Sequence, residues 1–379
     1  MSSVPIKQWD ELVRYFPAYA GMSAEDRVKI ETVLKEYEVR FSRYLLELCA
    51  RSEAVARQFL PDPRELDTRG VRFTWEGVMA TGVPGLERMY LDRVVVLPVN
   101  QCPAYCRFCF RKNYFNAYAK QPLAMAESHV ERAVAYIASD PRIREALVTG
   151  GDPLMNMVRL HDLLRRLREI PHVGVIRVAS RSVAYDPERI TNELAAMLSA
   201  YNRPEEGKAV EIATHFNHPD EITSESTGAV TRLLRAGLRV YNQTVLLKGI
   251  NDEVGTLEAL FRGLHERGVE MYYLFHCEPL LGAAHFRTTI ERGLQLRAEL
   301  RSRASGRIIP RYMVCTQLGK VELGVDGWIT ERNEEACWIR TPYRLETFRS
   351  VDPEFTLPKF AREGSDGFIE VQYLDGSDD

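Results

Sequence analysis

The sequence predicts an α/β protein centred on a partial (β/α)6 barrel, and three observations predict it. From Arg93 onward, six short β-rich runs alternate with longer runs of helical periodicity. Right-handed crossovers wind such repeats into a parallel sheet that curls as an open or closed barrel. The polar motifs also fall where the strands end, which is the end at which α/β barrels carry their active sites. Finally, the apolar run Val94 to Val99 leads directly into three closely spaced cysteines.

The chain has 379 residues, enough for one barrel of about 200–250 residues with appendages. A formal charge of −3 gives no basic balance toward nucleic acid. The N-terminus, Met1-Ser-Ser-Val-Pro-Ile-Lys-Gln-Trp-Asp, lacks the apolar core of a signal peptide. No apolar run approaches the ~18 residues of a membrane helix. Seven unevenly placed cysteines do not make a disulfide framework. A reducing cytoplasm is the expected setting.

Residues 1–84 form an N-terminal segment that reads as mostly helical. Ser23 suits a helix cap with Asp26 three residues on. Val33, Tyr37, Phe41, Tyr44 and Leu45 then recur at helical intervals. The barrel is expected over 85–310, with strands at Arg93–Leu97, Ala146–Thr149, Val175–Ala179, Ala209–Thr214, Val240–Leu247 and Glu270–Phe275. Helices are expected at His129–Ala138, Leu160–Ile170, Thr191–Ser199, Ala229–Ala236, Thr256–Arg267 and Thr288–Arg301. Residues 311–379 form a C-terminal segment; after Trp338 it is rich in Pro, Asp, Glu and Gly, and Asp375-Gly-Ser-Asp-Asp is expected to fray.

The motif Cys102-Pro-Ala-Tyr-Cys106-Arg-Phe-Cys109 has the spacing to wrap one small iron–sulfur cluster. A 4Fe-4S centre ordinarily takes four thiolates, so three leave one iron open to another ligand. Buried cysteines packing as small apolar residues are one alternative. A structural zinc site is another, though it calls for a second ligand pair that is not nearby. Thr149-Gly150-Gly151-Asp152-Pro follows a strand; its glycines either let the backbone approach a ligand or simply punctuate a turn. Ser180-Arg181, Thr214-His215-Phe-Asn-His218 and Asn242-Gln243 are further polar groups at strand ends.

The cysteine motif resembles the radical S-adenosylmethionine (radical SAM) signature CxxxCxxC. Tyr90-Leu-Asp-Arg93, Leu147-Val-Thr-Gly-Gly-Asp-Pro153, Ser180-Arg181, Arg189-Ile-Thr, Thr214 to Pro219, Asn242 to Asn251 and His285-Phe-Arg-Thr288 follow in order. Together they resemble the lysine 2,3-aminomutase family over roughly residues 85–325. The resemblance implies a 4Fe-4S cluster on Cys102, Cys106 and Cys109. It also implies S-adenosylmethionine against Gly150, Gly151, Asp152, Ser180, Arg181, His215 and Gln243. Pyridoxal 5′-phosphate (PLP) is implied on Lys320, with Tyr90 and Arg93 on its phosphate side. Arg111 would grip the substrate carboxylate and Glu278 its side chain. The implied reaction moves an amino group from Cα to Cβ through a 5′-deoxyadenosyl radical and a PLP imine. An external reductant such as flavodoxin or ferredoxin and a homo-oligomer are implied too.

Three departures from the family pattern bear on these expectations. Met89 stands where the first phosphate arginine would be, and one glycine precedes Lys320 instead of several. Of two substrate-reading acids, the first corresponds to Glu278, while Val314-Cys315-Thr316 holds no acid. L-Lysine itself is therefore not the expected substrate. The zinc-binding cysteines of the clostridial-type enzymes are missing, with Glu253 at the barrel position and only Cys337 in the C-terminal region. Cys49, Cys277, Cys315 and Cys337 are expected to pack as small residues, Cys315 toward the substrate. Two alternatives stay open: a PLP-independent radical SAM enzyme (rearrangement, elimination or epimerisation) and a cluster-bearing interaction or sensor protein.

Overall fold

The computed structural model describes residues 3–72, 81–113, 124–324, 329–333, 336–341, 343–365 and 367–376. Strands β1 (Val4–Ile6) and β2 (Val39–Phe41) pair antiparallel in the N-terminal segment. Strands β3 (Leu86–Arg88), β4 (Arg93–Val99), β5 (Glu145–Gly150), β6 (Val175–Ala179), β7 (Ala209–Thr214), β8 (Arg239–Leu246), β9 (Glu270–His276), β10 (Arg311–Thr316) and β11 (Gly319–Glu322) form one sheet in chain order. From β4 to β10 every neighbour is parallel, and β3 and β11 are antiparallel edges.

All six predicted strands are present, and the sheet is the curled partial barrel expected. It also gains β10 as a seventh parallel strand, paired to β9 through Arg311↔Tyr273 and Met313↔Phe275. Alternation explains the curl. The row Val94, Ala146, Ile176 and Val210, in register across β4 to β7, is buried against the outer helices. The opposite row, Val95, Leu147, Arg177 and Glu211, faces the lumen and turns polar at β6 and β7. Side chains alternate faces along a strand, so one register sets both rows.

The two sheet edges meet through side chains. Tyr90, between β3 and β4, accepts a hydrogen bond on its phenol oxygen from the Lys320 backbone N–H of β11, at 2.9 Å. Helices Glu127–Ser139, Met157–Arg168, Asn192–Ser199, Ser224–Arg235, Val254–His265 and Ile290–Arg303 follow the strands. Four of these starts are capped by side chains that supply an acceptor to an otherwise unpaired N–H. Asn156 accepts from Arg159, Thr191 from Leu194 and Thr289 from Arg292, at 3.0–3.2 Å. Among the described residues no helix is long and apolar enough to cross a membrane.

Two expectations are corrected. Ser23 does cap the helix Ala24–Glu36, accepting from Asp26 N–H at 3.1 Å. The apolar series beyond Val33, however, is not one helix: it passes through β2 before the helix Arg43–Arg51. Tyr37 closes the preceding helix as its C-cap, while Val39 and Phe41 lie in a strand because Ile6 and Val4 pair with them across the sheet. The tail also folds, as β12 (Ile329–Arg332), β13 (Ala336–Arg340), β14 (Ala361–Glu363) and β15 (Ile369–Leu374) of a separate antiparallel sheet. Asp375, expected to fray, accepts from Ile290 N–H at 3.0 Å, and its carbonyl takes Arg287 at 3.1 Å. Residues 377–379 lie outside the described residues.

Candidate active site

The three-cysteine loop leaves the end of β4, and the Gly-Gly-Asp turn leaves the end of the neighbouring β5. The two loops are bonded to each other. Gly151 N–H donates to Val99 O at 2.8 Å and Asp152 N–H to Gln101 O at 2.7 Å. A Cβ on Gly151 would sit 2.1 Å from Gln101 O, and Gly150 holds φ +117°. The glycines are therefore needed for the cysteine loop to close over the turn.

Asp152 is buried and ties the turn to the end of β6. It accepts from Ser180 Oγ at 2.9 Å, Ser182 Oγ at 2.9 Å, Leu154 N–H at 3.1 Å and Tyr185 Oη at 3.2 Å. Burial raises its pKa, and these hydrogen bonds only partly offset that. Ser180 thus serves Asp152 directly.

Burial also raises all three cysteine thiols, Cys109 to about 12. Cys102 feels Cys109 and Cys106 as like charges and Cys109 feels Cys106, so the sulfurs are gathered around one space. Among the described residues no three Cys, His, Asp or Glu converge on one metal ion. Arg181 supplies the matching charge: its Nη1 donates to Cys106 Sγ at 2.8 Å, favouring the thiolate form. The residues present therefore fit an iron–sulfur cluster.

Arg181 is itself held from every side. Its Nη2 donates to Gln58 Oε1 at 2.6 Å and Glu221 Oε1 at 3.0 Å, and its Nε to His215 O at 3.2 Å. Phe59 and Phe108 lie against the guanidinium at 4.8 and 5.4 Å. His215, half-buried behind it, is held neutral because desolvation and Arg181 both depress its pKa. Its Nε2 meets Asn217 Oδ1 at 2.9 Å, an acceptor, which places the proton on Nε2. Gln243 stands half-buried on β8, at the register shift after Asn242.

Across the lumen, Lys320 stands opposite Cys315 in the β10–β11 hairpin. Its Nζ lies 5.4 and 5.3 Å from the Tyr273 and Phe275 rings. Burial lowers its pKa to about 8, with Arg177 and Arg93 pushing the same way and Cys315 and Glu278 opposing. Tyr90 and Tyr343 fix its backbone, the latter donating to Lys320 O at 3.0 Å. Arg93 lies 4.4 Å over the Tyr90 ring. A half-buried amine of reduced basicity with two guanidiniums in its field suits an aldehyde cofactor bearing a phosphate.

The two expected substrate residues lie at the strand ends. Arg111 is buried and makes a two-pronged pair with Glu87 of β3, at 2.7 and 2.9 Å. Glu278 bonds with the Cys315 thiol, which burial raises first and Glu278 raises further. Cys49, Cys277, Cys315 and Cys337 are all buried, as expected.

Several residues of the site carried no sequence signal of their own. Gln58 and Glu65 come from the N-terminal segment, with nothing local to link them to the cysteines. Arg177 did leave a trace: a charged residue in the middle of Val175-Ile-Arg-Val-Ala is out of place unless the lumen is polar. Tyr185 and Glu221 sit just past motifs that did draw notice.

Residues 96–260 match the model of the radical SAM superfamily. Over 262 residues the chain is 40% identical to a putative L-lysine 2,3-aminomutase of Aquifex aeolicus, covering 68% of each chain. It is 33% identical over 362 residues to the L-lysine 2,3-aminomutase of Fusobacterium nucleatum, covering 93% of this chain and 81% of the relative. It is 36% identical over 254 residues to the glutamate 2,3-aminomutase of Clostridioides difficile, covering 67% of this chain and 57% of the relative. With a cysteine loop, glycine turn and strand-end motifs assembled on one curled sheet, the chain belongs to the lysine 2,3-aminomutase family of radical SAM enzymes.

Proposed function

We propose that the protein is a PLP-dependent amino-acid 2,3-aminomutase whose substrate is not L-lysine. The carrying observation is Lys320, a half-buried amine of lowered basicity facing the same lumen as the three-cysteine loop. When bound, S-adenosylmethionine on the cluster supplies the hydrogen-abstracting radical, and PLP supplies the carbonyl that carries the migrating nitrogen.

The chain's own residues supply placement. Cys102, Cys106 and Cys109 hold the cluster, and Arg181 keeps positive charge against one of its sulfurs. Gly150, Gly151 and Asp152 set the cysteine loop, while Ser180, His215 and Gln243 complete the S-adenosylmethionine side. Lys320 offers a neutral amine near pH 8, and Arg93, with Arg177, offers charge to a phosphate. Arg111 receives the substrate carboxylate by exchanging it for Glu87, and Glu278 reads the side chain. Burial around the lumen excludes water, which strengthens each of these interactions. Relatives named for lysine and for glutamate show that side-chain reading varies within such proteins. An external reductant, a cytoplasmic setting and a homo-oligomer belong to the same reading.

The test is anaerobic reconstitution with iron, sulfide and PLP, comparing wild type with Lys320→Ala. Visible absorbance of bound PLP that disappears in the variant, together with a β-amino product from some amino acid, is expected. Deoxyadenosine formation with no bound PLP in either protein would instead establish the PLP-independent alternative.

A further inference from the structure

The three cysteine sulfurs are met by three different donors. Cys106 has the Arg181 guanidinium at 2.8 Å, Cys109 the Arg111 backbone N–H, and Cys102 the Tyr185 phenol. The Asp152 carboxylate also bears on Cys102, as a like charge. Tyr185 belongs neither to the cysteine loop nor to the glycine turn. It ends a short helix, Ser182–Tyr185, that follows β6.

The Tyr185 hydroxyl is underused by the fold. It has one proton to give, and its Oη lies 3.2 Å from Asp152 Oδ2. That is long for a hydroxyl meeting a carboxylate, where about 2.5–2.7 Å is usual. Asp152 does not depend on it, since Ser180 Oγ and Ser182 Oγ reach the same carboxylate at 2.9 Å and Leu154 N–H at 3.1 Å. The ring, by contrast, is fixed. It is 3% exposed, meets Phe59 edge-on at 6.0 Å and has the Arg181 guanidinium 5.9 Å from its centre. The Tyr185 carbonyl accepts from Ser42 Oγ of the N-terminal segment. The ring shares an apolar cluster with Ala104, and Cys106 packs against that cluster. A locked side chain whose polar atom makes only a long, dispensable bond is pre-set for another acceptor. An electron added to an iron–sulfur cluster is shared with its sulfur ligands, so a hydrogen bond to a sulfur stabilises the reduced form and raises the potential.

We propose that Tyr185 is a positioning residue that sets the cluster's potential: its phenol donates to the Cys102 thiolate, from a ring that the N-terminal segment aims through Ser42 and Phe59. The inference rests on the cluster of the proposed enzyme, and not on PLP or on the substrate.

The experiment is a redox titration of the anaerobically reconstituted full-length protein without S-adenosylmethionine, followed by the electron paramagnetic resonance of the reduced cluster. Tyr185→Phe keeps the ring and removes the proton. Its ratio of reduced to oxidised cluster at a fixed potential is expected to fall about tenfold, the scale of one hydrogen bond to a charged group, which is a midpoint lower by about 59 mV. Ser182→Ala takes a donor from the same Asp152 carboxylate and should leave the midpoint where it was. Tyr185→3-fluorotyrosine, a stronger donor of nearly the same shape, should raise it, and this variant decides the matter if Tyr185→Phe retains no cluster. An unmoved midpoint in Tyr185→Phe with its iron retained overturns the proposal. So does an equal fall in Ser182→Ala, which would route the effect through Asp152, or a fluorinated variant whose midpoint stays or drops. The expected shifts in a protein that never yields a β-amino product would keep this role of Tyr185 and sink the aminomutase reading alone.

Discussion

In the proposed function Lys320 performs a task that depends on one proton. An ammonium cannot attack a carbonyl, and the depressed pKa of about 8 brings the free amine into reach near neutrality. The sign follows from the direction of the shift. Below pH 8 the amine is charged and unreactive; through pH 8 it becomes neutral, about two units sooner than an ordinary lysine at its usual ~10.4. PLP uptake at fixed PLP concentration should therefore rise through pH 8 and level off by pH 9, measured by absorbance after desalting. A midpoint near 10 would show that burial does not act on this amine as described. Arg181 makes the complementary point. Its guanidinium meets a cysteine sulfur, a carboxylate, an amide and a carbonyl at once, so it is immobilised before any ligand arrives.

At the scale of elements, the cysteine loop is organised less by its own residues than by the glycine turn of the next strand. Gly151→Ala would drive a methyl group into Gln101 O, where the backbone has no room to yield. The expected cost is about 1–3 kcal/mol, as for overpacking a dense site. It should appear as a lowered melting temperature and as iron lost on gel filtration after reconstitution. Gly255→Ala, with open space around the new Cβ, is the matched control and should change neither. The glycines were legible as special because they follow a strand; what they approach was not. Sequence cannot say whether a tight turn faces a ligand or another stretch of chain, since both demand the same missing side chain.

For the molecule as a whole, the N-terminal segment works as part of the site. Glu65 is fully buried, and its carboxylate takes Arg107 Nε at 2.9 Å and also pairs with Lys112. Both cations belong to the cysteine region, and Arg107 N–H further donates to Gln58 O at 2.8 Å. Burial lowers Lys112 to about 8, so this cluster is poised between pairing and desolvation. Removing one partner of a buried ion cluster leaves the others uncompensated, at a cost of about 3–5 kcal/mol. Glu65→Gln should thus lower the denaturant midpoint sharply and loosen iron retention. An unchanged midpoint would mean that the segment is only an external cover.

The strand–helix order, the outer apolar row and the cluster cysteines could all be read along the chain, because each is a local pattern. Alternation and spacing depend only on neighbours a few residues apart. The break at β2, the seventh parallel strand and the folded tail could not be read this way. Tyr37 and Phe41 have apolar spacing compatible with a helix, and only the pairing of Val39 to Phe41 with Val4 to Ile6 makes that stretch a strand. Tyr312 to Cys315 is too short a run to declare its state without β9 beside it. The same limit separates the two ends of the site. Cys102, Cys106 and Cys109 announce their chemistry within eight residues, whereas Gln58 and Glu65 mean nothing until the N-terminal segment packs against the cysteine region. Covalent proximity writes a motif into sequence; a pocket built from distant segments exists only once burial has been settled for the whole chain.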